Sequence, residues 1–223
     1  MMSNDDSDNR KAIWEAAYDG DWETVKQWLE RKPALITIVD EGGVTLLHYA
    51  AYNSNIEVLK YLVSKGVDIN VKAQYDETPL HWAARWNSDV EVLEYLVSHG
   101  DVNVRELYGH TPLHFAAMVN PNVDVMKCLV SKGADVNAKN CWGDTPLYEA
   151  AGWNDNVQVL EFLISQGANV NAKNESGEMS LDIADTDEKA HILRGAMQKT
   201  VPLAYSEQHQ ANTSSCPKVI HNS

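Results

Sequence analysis

Thr78-Pro79-Leu80-His81-Trp82-Ala83-Ala84 is followed 33 residues later by Thr111-Pro112-Leu113-His114-Phe115-Ala116-Ala117. The pattern also stands 33 residues earlier, as Thr45-Leu46-Leu47-His48-Tyr49-Ala50-Ala51. It returns 34 residues further on, as Thr145-Pro146-Leu147-Tyr148-Glu149-Ala150-Ala151. Thr before Pro reads as a helix start: Thr caps unpaired backbone N–H groups, and Pro fits the first turn. The paired alanines are small enough for a close neighbour. A second apolar block follows each copy, at Ile56 to Gly66, Val90 to Gly100, Val123 to Gly133 and Val157 to Gly167. Its spacing predicts a second helix with one broad apolar face. Each closing glycine stands where a left-handed C-cap is expected. A short extended stretch such as Asp68-Ile69-Asn70 then leads into the next turn.

Units of this period cannot bury their apolar faces alone, so neighbours must stack. Degenerate copies flank the four: Ala12-Ile13-Trp14-Glu15-Ala16-Ala17 before them, and Ser180-Leu181-Asp182-Ile183-Ala184, which keeps Leu and Ala but loses Thr and Pro. The Thr-Pro-Leu-His-x-Ala-Ala blocks, with closing blocks such as Gly133-Ala134-Asp135-Val136-Asn137-Ala138, resemble the ankyrin-repeat family over residues 9–198. The resemblance implies an all-α solenoid of about six stacked helix-turn-helix units with β-hairpin-like turns. The expected units are 9–38, 39–72, 73–105, 106–139, 140–173 and 174–198, the first and last being polar-faced caps. Residues 1–8 read as a disordered acidic N-terminus and 199–223 as a disordered polar tail.

Three departures stand out. Ser98-His99-Gly100-Asp101 lacks the residue found between Gly and Asp elsewhere, which predicts a tighter hairpin. The interhelix loop is one residue longer at 85–89, 118–122 and 152–156 than at 52–55. Asp76 replaces the turn glycine found at 43, 109, 143 and 177, and Asp tolerates the left-handed region less well than Gly.

The composition is that of a folded chain, with 44% hydrophobic residues and a formal net charge of −14. Nucleic-acid backbones and anionic membranes repel such a chain, and basic partners attract it. The acidic, polar start lacks a secretory signal, and no apolar run approaches membrane-spanning length. Cys128, Cys141 and Cys216 have no framework spacing, so a reducing, cytoplasmic setting is expected.

His48, His81 and His114 share one repeat position, one layer apart, whereas metal ligands must converge to about 2 Å from one ion. The resemblance implies a structural hydrogen-bond network for them. No phosphate loop, nucleophile elbow or paired cysteine motif is present, so neither a catalytic residue, a metal nor a cofactor is expected. Trp14, Trp22 and Trp28 fall at core-like positions of the first unit.

Positions that differ between units can be tuned for binding. Three residues before each motif Thr stand Gly42, Tyr75, Tyr108 and Trp142; four after it stand Tyr49, Trp82, Phe115 and Glu149; eight after it stand Asn53, Trp86, Val119 and Trp153. The last two rows are four apart and share a helix face. The candidate partner-binding set is Tyr75, Glu77, Trp82, Trp86, Tyr108, His110, Phe115, Trp142, Asp144, Glu149 and Trp153. Tyr and Trp in an exposed row indicate an interface, since they dominate binding hot spots. The competing reading is packing, above all for Tyr49 and Phe115. The expected function is a protein-interaction module, monomeric alone, that binds a basic and apolar protein surface or an extended basic peptide on its concave face. An unspecialised structural array is the alternative, and an enzyme a distant third.

Overall fold

The computed structural model describes residues 4–86 and 89–199, with side chains from residue 11 onward. The expected tail from 200 on, and positions 87 and 88 of one long loop, lie outside the described residues.

Five helix pairs stack in register. The inner row is α1 (Asn4–Asp19), α3 (Leu46–Tyr52), α5 (Pro79–Trp86), α7 (Pro112–Val119) and α9 (Pro146–Trp153). The outer row is α2 (Trp22–Arg31), α4 (Ile56–Ser64), α6 (Val90–His99), α8 (Val123–Ser131) and α10 (Val157–Ser165), closed by α11 (Asp187–Lys199). The substantial contacts join helices of one unit or of adjacent units. The alanine pairs at 50–51, 83–84, 116–117 and 150–151 are fully buried between inner helices. Leu47, Leu113 and Leu147 fill the space between the two rows, where each fully buried side chain is worth roughly 1.5–3 kcal/mol.

The repeated histidines tie one unit to the next. The backbone N–H of Thr111 donates to His114 Nδ1 (3.1 Å), and His114 Nε2 donates to the carbonyl of Asp144 (3.1 Å). His48 reaches Glu77 O (3.2 Å) and His81 reaches His110 O (3.3 Å) in the same way. In α3 and α7 the His plays the part that Glu plays in a capping box, while the Thr side chain caps the N3 amide. Tyr148 holds this register in the fifth unit, its hydroxyl donating instead to Glu178 Oε2 (2.9 Å).

The hairpins carry a parallel set of ties. Each tip amide reaches back one unit: Gln74 N to Gly42 O, Leu107 N to Tyr75 O, Cys141 N to Tyr108 O and Glu175 N to Trp142 O, at 2.7–2.8 Å. Gly143 shows the constraint, with φ +80° and the Glu175 amide 2.9 Å from where a Cβ would lie. At the tip with Asp76, both Tyr75 and Asp76 adopt φ near +62°. This is also the hairpin where Ala73 stands in place of Asp40, Glu106, Asn140 and Asn174, whose side chains each accept two tip amides.

Three expectations change, and the longer loops gain a role. The sixth unit has no regular inner helix. Without Thr-Pro, residues 180–183 form turns, and Asp182 Oδ2 accepts the Met179 amide (2.7 Å). Lys189 closes this cap, its buried Nζ reaching Asp185 (2.7 Å) and Ala151 O (3.2 Å). Gly100 is not left-handed: its φ is −130°, whereas Gly66, Gly133 and Gly167 lie near +90°. The missing residue removes the left-handed turn, α6 runs on through His99, and a Cβ at Gly100 would sit 2.8 Å from Asn70 Oδ1, which would have to give way. The longer loops serve stacking, with Asn120 Nδ2 donating to Ala84 O (3.0 Å) and Asn154 Nδ2 to Ala117 O (2.9 Å). The first helix already begins at Asn4, inside the stretch read as lying outside the repeats.

Burial lowers the pKa of His48 and His81 to about 4 and of His114 to about 3. A base with a depressed folded pKa binds more protons when unfolded, so its contribution is complete above about 6.5 and is lost on acidification. Urea midpoints should therefore fall between pH 6.5 and 4. A His114→Gln variant, less stable at neutral pH, should show a shallower acid slope. Equal slopes would mean that these imidazoles do not drive acid unfolding.

Candidate functional site

The stacking translates each repeat position into a row along the inner helices and hairpin tips. On the hairpin tips, the Tyr75 and Tyr108 rings lie 6.0 Å apart, and Tyr108 stacks on Trp142 at 5.5 Å with 24° between planes. Tyr75 and Trp142 are exposed and Tyr108 is half-buried between them. The tips thus carry one continuous aromatic ladder.

A second row ends the inner helices. Trp86 is exposed and Trp153 is 65% exposed. Trp82 is half-buried; its indole Nε1–H donates to Glu77 Oε2 (2.8 Å), and its ring meets Tyr49, Tyr52 and Trp86 edge-on at 5.4–6.5 Å. Arg85 lies over this surface, with its guanidinium 4.6 Å from the Trp86 ring centroid and 4.8 Å from that of Phe115. Glu77 Oε1 pairs with it at 3.5 Å.

Three candidates face inward and leave the contact surface. Phe115 is 6% exposed, packed against His81 and His110 at 5.6 and 5.3 Å. Glu149 is 5% exposed. His110 is largely buried, and together with Glu149 and Glu106 it forms an ionic cluster beneath the ladder. Glu106 Oε1 accepts the Tyr108 amide (2.9 Å), the His110 amide (3.0 Å) and His110 Nδ1–H (2.8 Å). Across the ring, the His110 Nε2–H and the Asn140 amide share Glu149 Oε1, at 3.6 and 3.4 Å. Burial alone would lower the His110 pKa, but the hydrogen-bonded carboxylates of Glu106 and Glu149 outweigh it and raise it to about 9. Burial alone would raise the Glu106 pKa; hydrogen bonds from His110 and two backbone amides hold it below the ordinary value. With the ring protonated, the 3.1 Å approach of the Asn140 amide to Nε2 is a contact between two donors that converge on Glu149. The candidate Asp144 is half-buried and accepts from Asn174 Nδ2 (2.8 Å).

Sequence reasoning missed Tyr18 and Tyr52, exposed one position before the helix-end row, and Arg85, which precedes Trp86. The register seven after the motif Thr could have shown them. It missed Glu106 because a hairpin carboxylate looks like a solvated charge until the fold closes over it. Among the described residues no cluster of His, Cys, Asp and Glu could hold a metal ion, and no helix is long and apolar enough to cross a membrane.

His110 gives a stability contribution of the opposite sign to the core histidines. Its folded pKa is raised, so the contribution is complete below about 6.5 and is lost as pH rises through about 9. Urea midpoints at pH 6.5 and 9.5 should differ more in the parent chain than in His110→Gln; equal differences would remove the clamp from the ledger of stabilising contacts.

The family model for ankyrin repeats in three copies matches residues 13–106 and 80–174. Stretches of the chain are similar to parts of three palmitoyltransferases. With akr1 of Schizosaccharomyces pombe, identity is 37% over 59 residues, which is 26% of this chain and 9% of the relative. With AKR1 of Lachancea kluyveri it is 39% over 74 residues, 31% of this chain and 10% of the relative. With ZDHHC17 of Homo sapiens it is 47% over 45 residues, 20% of this chain and 7% of the relative. The aligned stretches thus make up a tenth or less of each of these relatives.

Proposed function

We propose, from the premise that this chain belongs to the ankyrin-repeat family, that it is a protein-interaction module whose partner lies along the tips and inner-helix ends of the third to fifth units. One observation carries the reading. The exposed large apolar side chains Tyr18, Tyr52, Trp86, Val119 and Trp153 stand at or beside inner-helix ends, and Val39, Tyr75, Leu107 and Trp142 stand on the hairpins. Among the described residues the outer helices present none. A one-sided apolar surface rich in Tyr and Trp has the composition of a binding hot spot.

The contact set is Tyr75, Trp82, Trp86, Tyr108, Trp142, Asp144 and Trp153. Phe115, His110 and Glu149 support it from behind, and Glu77 holds Trp82 and Arg85 in place. The net charge of −14 favours a partner with basic and apolar groups over nucleic acid or an anionic membrane. The module binds without catalysing a reaction, as a monomer on its own, in the cytoplasm. The activity in the relatives' names stays with those proteins, because the aligned stretches are 45 to 74 residues long.

Capture from source-cell lysate, followed by titration of the captured protein, tests this. Removing a hot-spot ring, as in Trp142→Ala or Trp86→Ala, should cost about 2 kcal/mol, roughly 30-fold in affinity. Binding should also weaken with salt. Folded variants that bind within about twofold of the parent, well below hot-spot magnitude, would move the site to the outer helices or the tail.

A further inference from the structure

The third unit displays, within the chain, an interaction that the fifth unit has only in part. In the third, Glu77 stands one residue before the motif Thr, Arg85 seven after it and Trp86 eight after it. Glu77 and the Trp86 ring hold the Arg85 guanidinium between them, at 3.5 and 4.6 Å. In the fifth unit the same registers carry Asp144, Gly152 and Trp153. The carboxylate and the ring are repeated, and the cation is missing. A side chain at 152 would displace Ile183, since a Cβ on Gly152 would meet Ile183 Cδ1 at 2.6 Å.

The charges along the row point the same way. In the third unit Asp76 pairs with Lys72 (3.0 Å) and Glu77 with Arg85; in the fourth, Glu106 pairs with His110. In the fifth and sixth, the partners of Asp144 and Glu178 are neutral: the Asn174 amide for both, and the Tyr148 hydroxyl for Glu178. Glu178 stands one unit on at the register of Asp144. The nearby Lys139 is bonded to the Lys173 carbonyl (2.8 Å). Burial, then the Glu178 hydrogen bond and the Asp144 and Glu178 charges, push the Tyr148 phenol up to about 12. Trp153 meanwhile offers the most exposed ring of the row.

We infer that the fifth and sixth units receive an arginine side chain of the partner, its guanidinium over the Trp153 ring and beside Asp144 and Glu178, in the register that Arg85 fills for the third unit. This rests on the concave-face reading and names one ligand group for it. A guanidinium suits the site better than an ammonium, since it stacks on an aromatic face while its N–H fork meets carboxylates. The third unit is closed to the same group because Arg85 occupies it.

The test uses the isotope-labelled full chain, with its tryptophan indole N–H signals assigned through Trp→Phe variants. The probe is the peptide acetyl-Leu-Arg-Leu-amide, and the control replaces Arg by citrulline, which has the same shape without the charge. The Arg probe should shift the Trp153 indole and leave Trp86 unmoved, and citrulline should bind about threefold more weakly or worse, the scale of an exposed cation–π contact. Asp144→Asn with Glu178→Gln keeps acceptor oxygens for Asn174 and Tyr148 while removing the charge, and should weaken the Arg probe similarly. Arg85→Met, checked for folding by circular dichroism, should make Trp86 respond as well. Equal response to the two peptides, or none at millimolar probe, overturns the inference. A response at Trp86 and the Tyr75 tip but not at Trp153 also overturns it, while the concave-face reading stands. A response confined to the outer helices removes both.

Discussion

A neutral, buried imidazole spanning two units is the interaction on which the stack depends. It accepts from the amide that begins its own inner helix and donates to the carbonyl that precedes the next unit's Thr. Both ends are backbone groups that would otherwise be buried without partners, each at a cost of about 1–3 kcal/mol. The bridge therefore acts as helix cap and interunit tie at once. The tip-to-tip amide bonds repeat the tie at the hairpin edge, and the long-loop asparagines repeat it at the far end of the inner helices. Three lines of ties, with the alanine pairs between them, fix the offset between neighbouring units.

That fixed offset is what turns a sequence position into a surface row. Residues one period apart in sequence become neighbours in space, so Tyr75, Tyr108 and Trp142 stack, although nothing local brings them together. The same rule decides which rings are lost to packing. A ring four after the Thr lies against the neighbouring unit's histidine: Trp82 on His48, Phe115 on His81. A ring eight after it closes the last turn of the helix and stays exposed, even where Trp86 meets Tyr52 edge-on at 5.8 Å. Exposure thus follows register more closely than residue type.

Electrostatics then differentiates units that the scaffold makes alike. The third answers its carboxylates with Arg85 and Lys72, and the fourth with an imidazolium held between two buried carboxylates. A lone buried charge would be costly, and the His110 clamp persists because Glu106 also collects two backbone amides. In the fifth and sixth the hairpin carboxylates Asp144 and Glu178 have neutral donors. One scaffold thereby carries a graded face, self-compensated toward its middle and acidic toward its C-terminal end.

The sequence by itself determined the solenoid, because the period, the Thr-Pro caps and the helical spacing all depend on contacts within a unit or with the next. It also determined that the repeated histidines are structural and that the aromatic residues fall in rows. The tertiary structure alone decided which members of those rows reach solvent. Phe115, for which packing already competed with binding, is sealed between two imidazoles, whereas Trp153 is 65% exposed. It also decided that Gly100 serves a close approach to Asn70 and not a left-handed turn, and that the last unit closes with a turn and a buried lysine. The pairing of Arg85 with Glu77 follows from how far long side chains reach along one unit, and that of His110 with Glu149, across some forty residues, from their reach between stacked layers. Those distances are set by packing in three dimensions, and no one-dimensional period encodes them.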